Sequence, residues 1–274
     1  MIKTLSITNQ KGGVGKTTTA INLSASFAEI GKKVLLVDFD PQCNATSGLG
    51  VDIKEGDKTI LDAISNKDLT AQIIKKDVKK NLDVLPGDVG LSSLEAELVN
   101  TQDKEQELKK TLEVIKNNYD YIIIDCPPAV GILTVNALVA SDACIIPVQC
   151  EYFSLEGLNQ VMNVVELVKS GMNPKLEIEG VVFTMFDQRT KLANDVVNGI
   201  KNSLKVHTFE TKIPRNIRLA EAPSNGMTIF EYDKNSIGAV RYRLLAVEIL
   251  EREVSKDTAK KVEEENNSVS GVPL

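Results

Sequence analysis

The chain has 274 residues, 42% of them hydrophobic and 26% charged, with a formal net charge of −6. That length suits one large α/β domain or two small ones with a sizeable core, and the composition excludes a disordered or fibrous protein. Four cysteines without a C-x-x-C pair and a single histidine, His207, leave little from which to build a zinc or iron–sulfur site, so buried, reduced thiols are expected.

The predicted elements begin with a β-branched run at Lys3 to Thr8, which Met1 enters with no apolar signal stretch. A helix is expected from Thr17 to Ile30, closed by Gly31, then strands at Lys33 to Phe39 and Leu82 to Leu85, and a helix over Lys104 to Lys116. Further strands follow at Tyr121 to Asp125, Ala143 to Val148 and Leu176 to Met185. A helix from Leu155 to Lys169, ended by Gly171, separates the last two, and a final helix spans Asn235 to about Arg252. Several strands are apolar throughout, which suits a parallel sheet whose two faces are both covered. The expected fold is α/β, a doubly wound, mostly parallel sheet with helices on both faces, formed by residues 1–252. From Glu253 the chain turns Lys-, Glu-, Asn- and Ser-rich, and 253–274 is expected to be a disordered tail. No segment reaches the roughly 18 apolar residues of a membrane span, so a cytoplasmic protein is expected.

The motifs fall at the carboxyl ends of predicted strands, where ligands of such sheets collect. Lys11-Gly12-Gly13-Val14-Gly15-Lys16-Thr17-Thr18 follows one strand and opens a helix. Its glycines let backbone N–H groups and the helix N-terminus converge on phosphate oxygens, which makes it a P-loop for MgATP. Lys16 is expected on the β- and γ-phosphates and the Thr17 hydroxyl on Mg²⁺. Asp125 follows four β-formers and suits a Walker B carboxylate that holds Mg²⁺ through water. Val37-Asp38-Phe39-Asp40-Pro41-Gln42 ends the second strand and brings two further carboxylates, Asp40 and Asp38, the latter a structural or outer magnesium group.

The second lysine, Lys11, is not required by an ordinary P-loop. The run Lys11-Gly-Gly-Val-Gly-Lys16-Thr-Thr resembles the deviant Walker A motif of the ParA/MinD ATPases. The segments Asp40 to Gly50, Pro147 to Gly157 and Ile213 to Pro223 resemble the ParA/Soj branch. Cys43 departs from it, standing where that branch commonly carries glycine. The resemblance implies an ATP-sandwich homodimer in which Lys11 crosses to the partner's nucleotide, with Lys11, Lys16 and Asp40 serving hydrolysis. It places Pro214 and Asn216 at the adenine base. It further implies non-specific binding of duplex DNA by the ATP dimer, nucleoid association, and a ParB/Spo0J-type partner that stimulates an otherwise slow hydrolysis.

Independent support for DNA comes from charge. Asp187 to Arg218 carries seven Lys/Arg against three acids, a basic island on an acidic chain. By the resemblance Arg189 and Arg215 lead as DNA contacts, with Lys191 and Arg218 behind them. The terminal segment has no apolar face of the kind that anchors MinD-like relatives to membranes. Two other readings stay open. One is a nucleotide-dependent regulatory switch for replication initiation or cell division; the other is a metabolic P-loop enzyme passing phosphoryl to a small acceptor.

Overall fold

The computed structural model describes residues 2–98, 103–151 and 154–269. In chain order the strands are β1 (Lys3–Ile7), β2 (Val34–Asp38), β3 (Lys75–Lys79), β4 (Leu82–Leu85), β5 (Tyr121–Asp125), β6 (Ala143–Gln149) and β7 (Glu177–Thr184). The helices are α1 (Lys16–Glu29), α2 (Asn44–Gly48), α3 (Ile60–Ser65), α4 (Thr70–Ile73), α5 (Leu91–Leu98), α6 (Glu107–Glu113), α7 (Ile132–Ala140), α8 (Ser154–Gly171), α9 (Lys191–Ser203), α10 (Ile217–Ser224), α11 (Ile229–Asp233) and α12 (Ile237–Val269).

The strands form one sheet in the order β3-β4-β2-β5-β1-β6-β7, parallel except for the β3–β4 pair. Period-two alternation divides the apolar runs between its faces. Val34 and Leu36 of β2 and Ile123 of β5 join a core with Phe27 of α1 and Tyr242 and Ile249 of α12. Leu35 and Val37 of β2 and Ile122 and Ile124 of β5 point the other way, onto Leu108 and Leu112 of α6 and Leu133 of α7. Each fully buried Leu or Ile contributes about 1.5–3 kcal/mol, so neither face could be left uncovered. The six expected strands are all present, and the doubly wound architecture is the one expected.

Three differences have physical causes. Strand β3 reads Lys-Lys-Asp-Val-Lys, an exposed and charged edge strand without an apolar run to announce it. The helix expected over Lys104 to Lys116 is broken into a 3₁₀ turn at Lys104–Gln106, α6, and a second 3₁₀ turn at Lys116–Asn118. The last helix does not stop near Arg252 before a disordered tail; its backbone stays helical to Val269, while 270–274 lie outside the described residues. Lys- and Glu-rich sequence is good helix former, and the sheet gives the extension something to dock on. Glu253 accepts from the Tyr121 hydroxyl at 2.5 Å and pairs with Lys3 at 2.8 Å, and Lys256 pairs with Glu177 and Glu179.

The sheet also positions the chemistry. Strand β1 sends the chain towards β2 on one side, whereas β5 sends it towards β6 on the other. The loops following β1 and β5 therefore part, opening the crevice where ligands of such folds bind. Register brings Ile7 and Asp38 each level with Asp125, so three strand ends converge there.

Candidate nucleotide site

The loop after β1 turns through two left-handed glycines, Gly13 (φ 75°) and Gly15 (φ 87°), where a side chain would be strained. Gly15 caps α1, and its carbonyl accepts the Thr19 N–H at 2.9 Å. The Thr184 hydroxyl at the end of β7 donates to the Val14 carbonyl at 2.8 Å, fastening the loop to the sheet. Lys16 folds back across the loop and donates to the Lys11 carbonyl at 3.1 Å. Burial lowers the pKa of its ammonium, opposed by the nearby charge of Asp125 and Asp40. This is a preformed cradle of N–H groups and one cation, able to hold the phosphates of a nucleotide.

Asp125 is fully buried, and neither of its carboxylate oxygens has a hydrogen-bond partner of normal geometry. Burial, then the charge of Asp38, pushes its carboxyl well above the usual range, with the Thr17 hydroxyl and Lys16 pulling the other way. A buried carboxylate without a partner costs free energy, and a hydrated dication removes that cost. The site fits magnesium on this ground: Thr17 and Asp125 can hold it together with phosphate oxygens and water. Among the described residues no group of three His, Cys, Asp or Glu could hold a metal ion.

Asp38 is spoken for. Its Oδ2 accepts from the Thr46 N–H at 2.7 Å and the Thr46 hydroxyl at 2.6 Å, and Thr46 Oγ1 accepts the Gly87 N–H at 2.9 Å. A Cβ on Gly87 would lie 2.9 Å from the Asp38 carboxyl carbon, so only glycine fits. Burial raises the Asp38 pKa to about 6 against these hydrogen bonds. Asp38 thus has the structural part, holding the loop that carries Asp40. Asp40 is buried, accepts the Gln42 N–H at 2.9 Å, and shares the site with Asp125 and Lys16. Cys43, the departure noted in the sequence, sits at φ 54°, the backbone region in which glycine is unstrained. It is partly exposed, while Cys126, Cys144 and Cys150 are buried; all four are free.

Lys11 lies at the outer edge. Its N–H is held by Asn9 at 3.0 Å, and its ammonium rests 2.5 Å from Glu151. Both side chains are substantially exposed, at 39% and 48%. Gln149 donates to the other Glu151 oxygen at 2.6 Å, so the carboxylate is held ready. Glu151 lies within the Pro147 to Gly157 segment, where nothing in the sequence pattern marks its pairing with Lys11. Tyr152 and Phe153 of that motif lie outside the described residues.

Pro214 and Asn216 line a largely apolar cavity of about 430 Å³ with Gly15, Thr18, Thr184 and Met185, beginning where the P-loop ends. That position and lining suit a nucleotide base. Pro214 pairs with Phe186 through a β-bridge, and Asn216 caps α10 by accepting the Arg218 N–H at 2.8 Å. Of the basic candidates, Arg189 and Arg215 share a second cavity; Lys191, the first residue of α9, and Arg218 do not line it. Arg218 pairs with Glu221 at 3.0 Å and Asp233 at 3.7 Å. Arg189 pairs with Asp187 at 2.7 Å. Among the described residues no helix is long and apolar enough to cross a membrane.

Residues 2–178 match the family described as "AAA domain". The chain is 52% identical to sporulation initiation inhibitor protein Soj of Bacillus subtilis (strain 168), over 91% of this chain and 98% of that protein. It is 49% identical to the chromosome-partitioning ATPase Soj of Treponema pallidum (strain Nichols), over 92% and 99%. The solved structure of cobyrinic acid a,c-diamide synthase from Mycobacterium smegmatis with bound ADP and magnesium superposes with a TM-score of 0.82, at 31% identity, over 93% and 97%. Identity is markedly higher to the Soj proteins than to the synthase, over nearly the whole length of each: the chain belongs to the ParA/Soj family of P-loop ATPases.

Proposed function

We propose that this protein is an ATP-dependent partition ATPase acting in the segregation of DNA. ATP and Mg²⁺ occupy the cradle formed by Gly12 to Thr18, with the base in the cavity of Pro214 and Asn216. Two ATP-bound subunits then face each other, and Lys11 of each reaches the nucleotide of the other. The resulting dimer binds duplex DNA without sequence preference through Arg189, Arg215, Lys191 and Arg218. Hydrolysis, stimulated by a ParB/Spo0J-type partner, returns it to monomers free of DNA and gives it a cytoplasmic, nucleoid-associated cycle.

In the hydrolytic step water attacks the γ-phosphorus, the bond to the β–γ bridging oxygen breaks, and ADP leaves with that electron pair. Asp40 orients the water by accepting its hydrogen bond. Lys16 and the loop N–H groups stabilise charge on the phosphoryl oxygens, and Lys11 from the partner adds a second cation there. Thr17 and Asp125 would hold magnesium, which would supply positive charge against the phosphates.

The observation that carries this reading is Lys11: a cation at the mouth of a P-loop, 39% exposed and paired, among the described residues, with the exposed Glu151. The test is light scattering and DNA co-sedimentation with ADP or a non-hydrolysable ATP analogue. Wild type should dimerise and bind DNA with the analogue alone, and Lys11→Ala should remain monomeric. Dimerisation without DNA binding would instead favour a regulatory switch, a second reading supported by the name of the Bacillus relative, a sporulation initiation inhibitor.

A further inference from the structure

We propose that the outward face of α12 is a self-association seam, on which a second copy of this chain lays the same helix antiparallel. The proposal goes beyond the partition reading and does not depend on it. The inward face of α12 is accounted for: Tyr242, Leu245, Ala246 and Ile249 lie in the core with Phe27 of α1. The outward face of a helix packed in this way is ordinarily polar. Here Ile237, Val240, Leu244, Val247 and Val254 occupy it, each between 41% and 67% exposed. With Glu251 they recur at alternating steps of three and four residues, the a and d positions of a heptad, along about 27 Å of helix. A contiguous exposed apolar stripe marks an interaction surface.

The stripe is complementary to itself, and charge fixes the direction. Two antiparallel copies can be set so that Leu244 faces Val247, Ile237 faces Val254 and Val240 faces Glu251, each pair joining an a position to a d position. A twofold axis between Leu244 and Val247 repeats every pair. Glu251 is not misplaced in such a seam. Its stem covers Val240 while its carboxylate reaches Arg241 of the second copy. Among the described residues neither Arg241 nor Glu251 has an ion-pair partner within its own chain, although Arg241 also lines the cavity of Arg189 and Arg215. Glu248, on the same flank, is already engaged by the N–H groups of Glu210 at 2.7 Å and Thr211 at 3.0 Å. Parallel copies would instead set Glu251 against Glu251 inside the seam and Arg241 against Arg241 beside it, which is repulsive. A lipid surface is a poorer occupant, because an anionic bilayer repels the carboxylates of Glu248 and Glu251.

The contact is weak by construction. A single helix face of this length and about 10 Å width covers roughly 300 Å² per copy, against about 800 Å² in a stable complex. Dilute protein therefore stays apart, and the seam acts where copies are crowded. A nucleotide-joined dimer carries two such seams, so two distinct twofold contacts per subunit link dimers into open strings, and each further contact gains from the local concentration set by the last.

The test is light scattering of the full chain with ADP and no DNA, raised from about 1 μM to roughly 300 μM. Wild type should pass from monomer to dimer in the upper part of that range. Leu244→Glu/Val247→Glu places like charges at the centre of the seam and should shift the transition at least tenfold upward. Both positions already meet solvent, so thermal melts and MgATP hydrolysis should stay those of wild type, which separates a lost seam from a lost fold. Glu251→Arg should weaken association, and adding Arg241→Glu to it should restore most of the loss, as only the antiparallel pairing predicts. Wild type that stays monomeric throughout, or that associates no better than Leu244→Glu/Val247→Glu, overturns the seam and leaves the partition reading intact. Co-sedimentation with phosphatidylglycerol vesicles that the same double variant abolishes assigns the stripe to lipid and also overturns it.

Discussion

Two carboxylates are fully buried at opposite ends of this sheet, and they behave in opposite ways. Asp125, at the carboxyl end, has no hydrogen-bond partner of normal geometry, and burial drives its carboxyl well above the usual range against the pull of Thr17 and Lys16. Glu179, towards the amino end, is just as buried, but Lys3 at 2.9 Å, Arg252 at 3.0 Å and Lys256 at 3.1 Å surround it. There burial works to raise the pKa and the pairing, led by Lys3, outweighs it, so the group sits below the usual range. Burial is common to both; partners decide the sign. One end spends stability to keep a carboxylate ready for a ligand, and the other converts similar burial into a clamp on α12.

Asp125→Asn should sharpen the contrast most. Magnesium-dependent hydrolysis should fall about a hundredfold or more. The nucleotide-free protein should gain about 2 kcal/mol, because a buried charge without a partner has been removed. Steady-state phosphate release and thermal melts without nucleotide measure the two effects, and a destabilised Asp125→Asn protein would break the comparison.

Glu179→Gln should do the reverse, costing about 2 kcal/mol and lowering Tm by roughly 5 °C while hydrolysis continues. The cost stays below that of a fully buried pair because Lys3, Arg252 and Lys256 are partly exposed and rehydrate. The sign with pH follows. A folded-state pKa below the ordinary 4.5 contributes stability above that value, lost as pH falls through the folded-state pKa. Melts on either side of pH 4.5 should show a drop in wild type that is smaller in the variant.

How much of this was legible in the sequence depended on distance along the chain. The cradle is eight consecutive residues between a strand and a helix, and Asp125 ends an unbroken β run, so local pattern carried both. Pro214, Asn216 and Arg215 came from the family resemblance, and the structure places all three around adjoining cavities. The Glu179 clamp joins Lys3, β7 and α12, and Arg241 meets Arg189 only in three dimensions; no local signal marks either. The polar edge strand β3 carries no apolar run to announce it, and the continuation of α12 has few apolar residues, its Lys256 held instead by pairing with Glu177.

Smaller effects test finer features of the ligand end. Glu151→Gln should release Lys11 and let the analogue-bound dimer form at up to about fivefold lower protein concentration, the range open to an exposed ion pair. Concentration-dependent light scattering reads this, and an unchanged midpoint would mean that the pair does not restrain Lys11. Cys43→Gly should raise Tm least, by about a degree or less. Relief of a left-handed backbone, about 1 kcal/mol, is nearly offset by the greater freedom of glycine in the unfolded chain.

The segment Pro214–Arg215 belongs to two cavities at once. Linkage makes such a shared wall work in both directions: whatever factor a bound nucleotide adds to the grip on a phosphodiester, that phosphodiester returns to the grip on the nucleotide. Under the proposed partition reading, a dimer resting on DNA would therefore hold its ATP more tightly than one adrift in solution. On that reading the DNA would be an effector of the enzyme as well as its track.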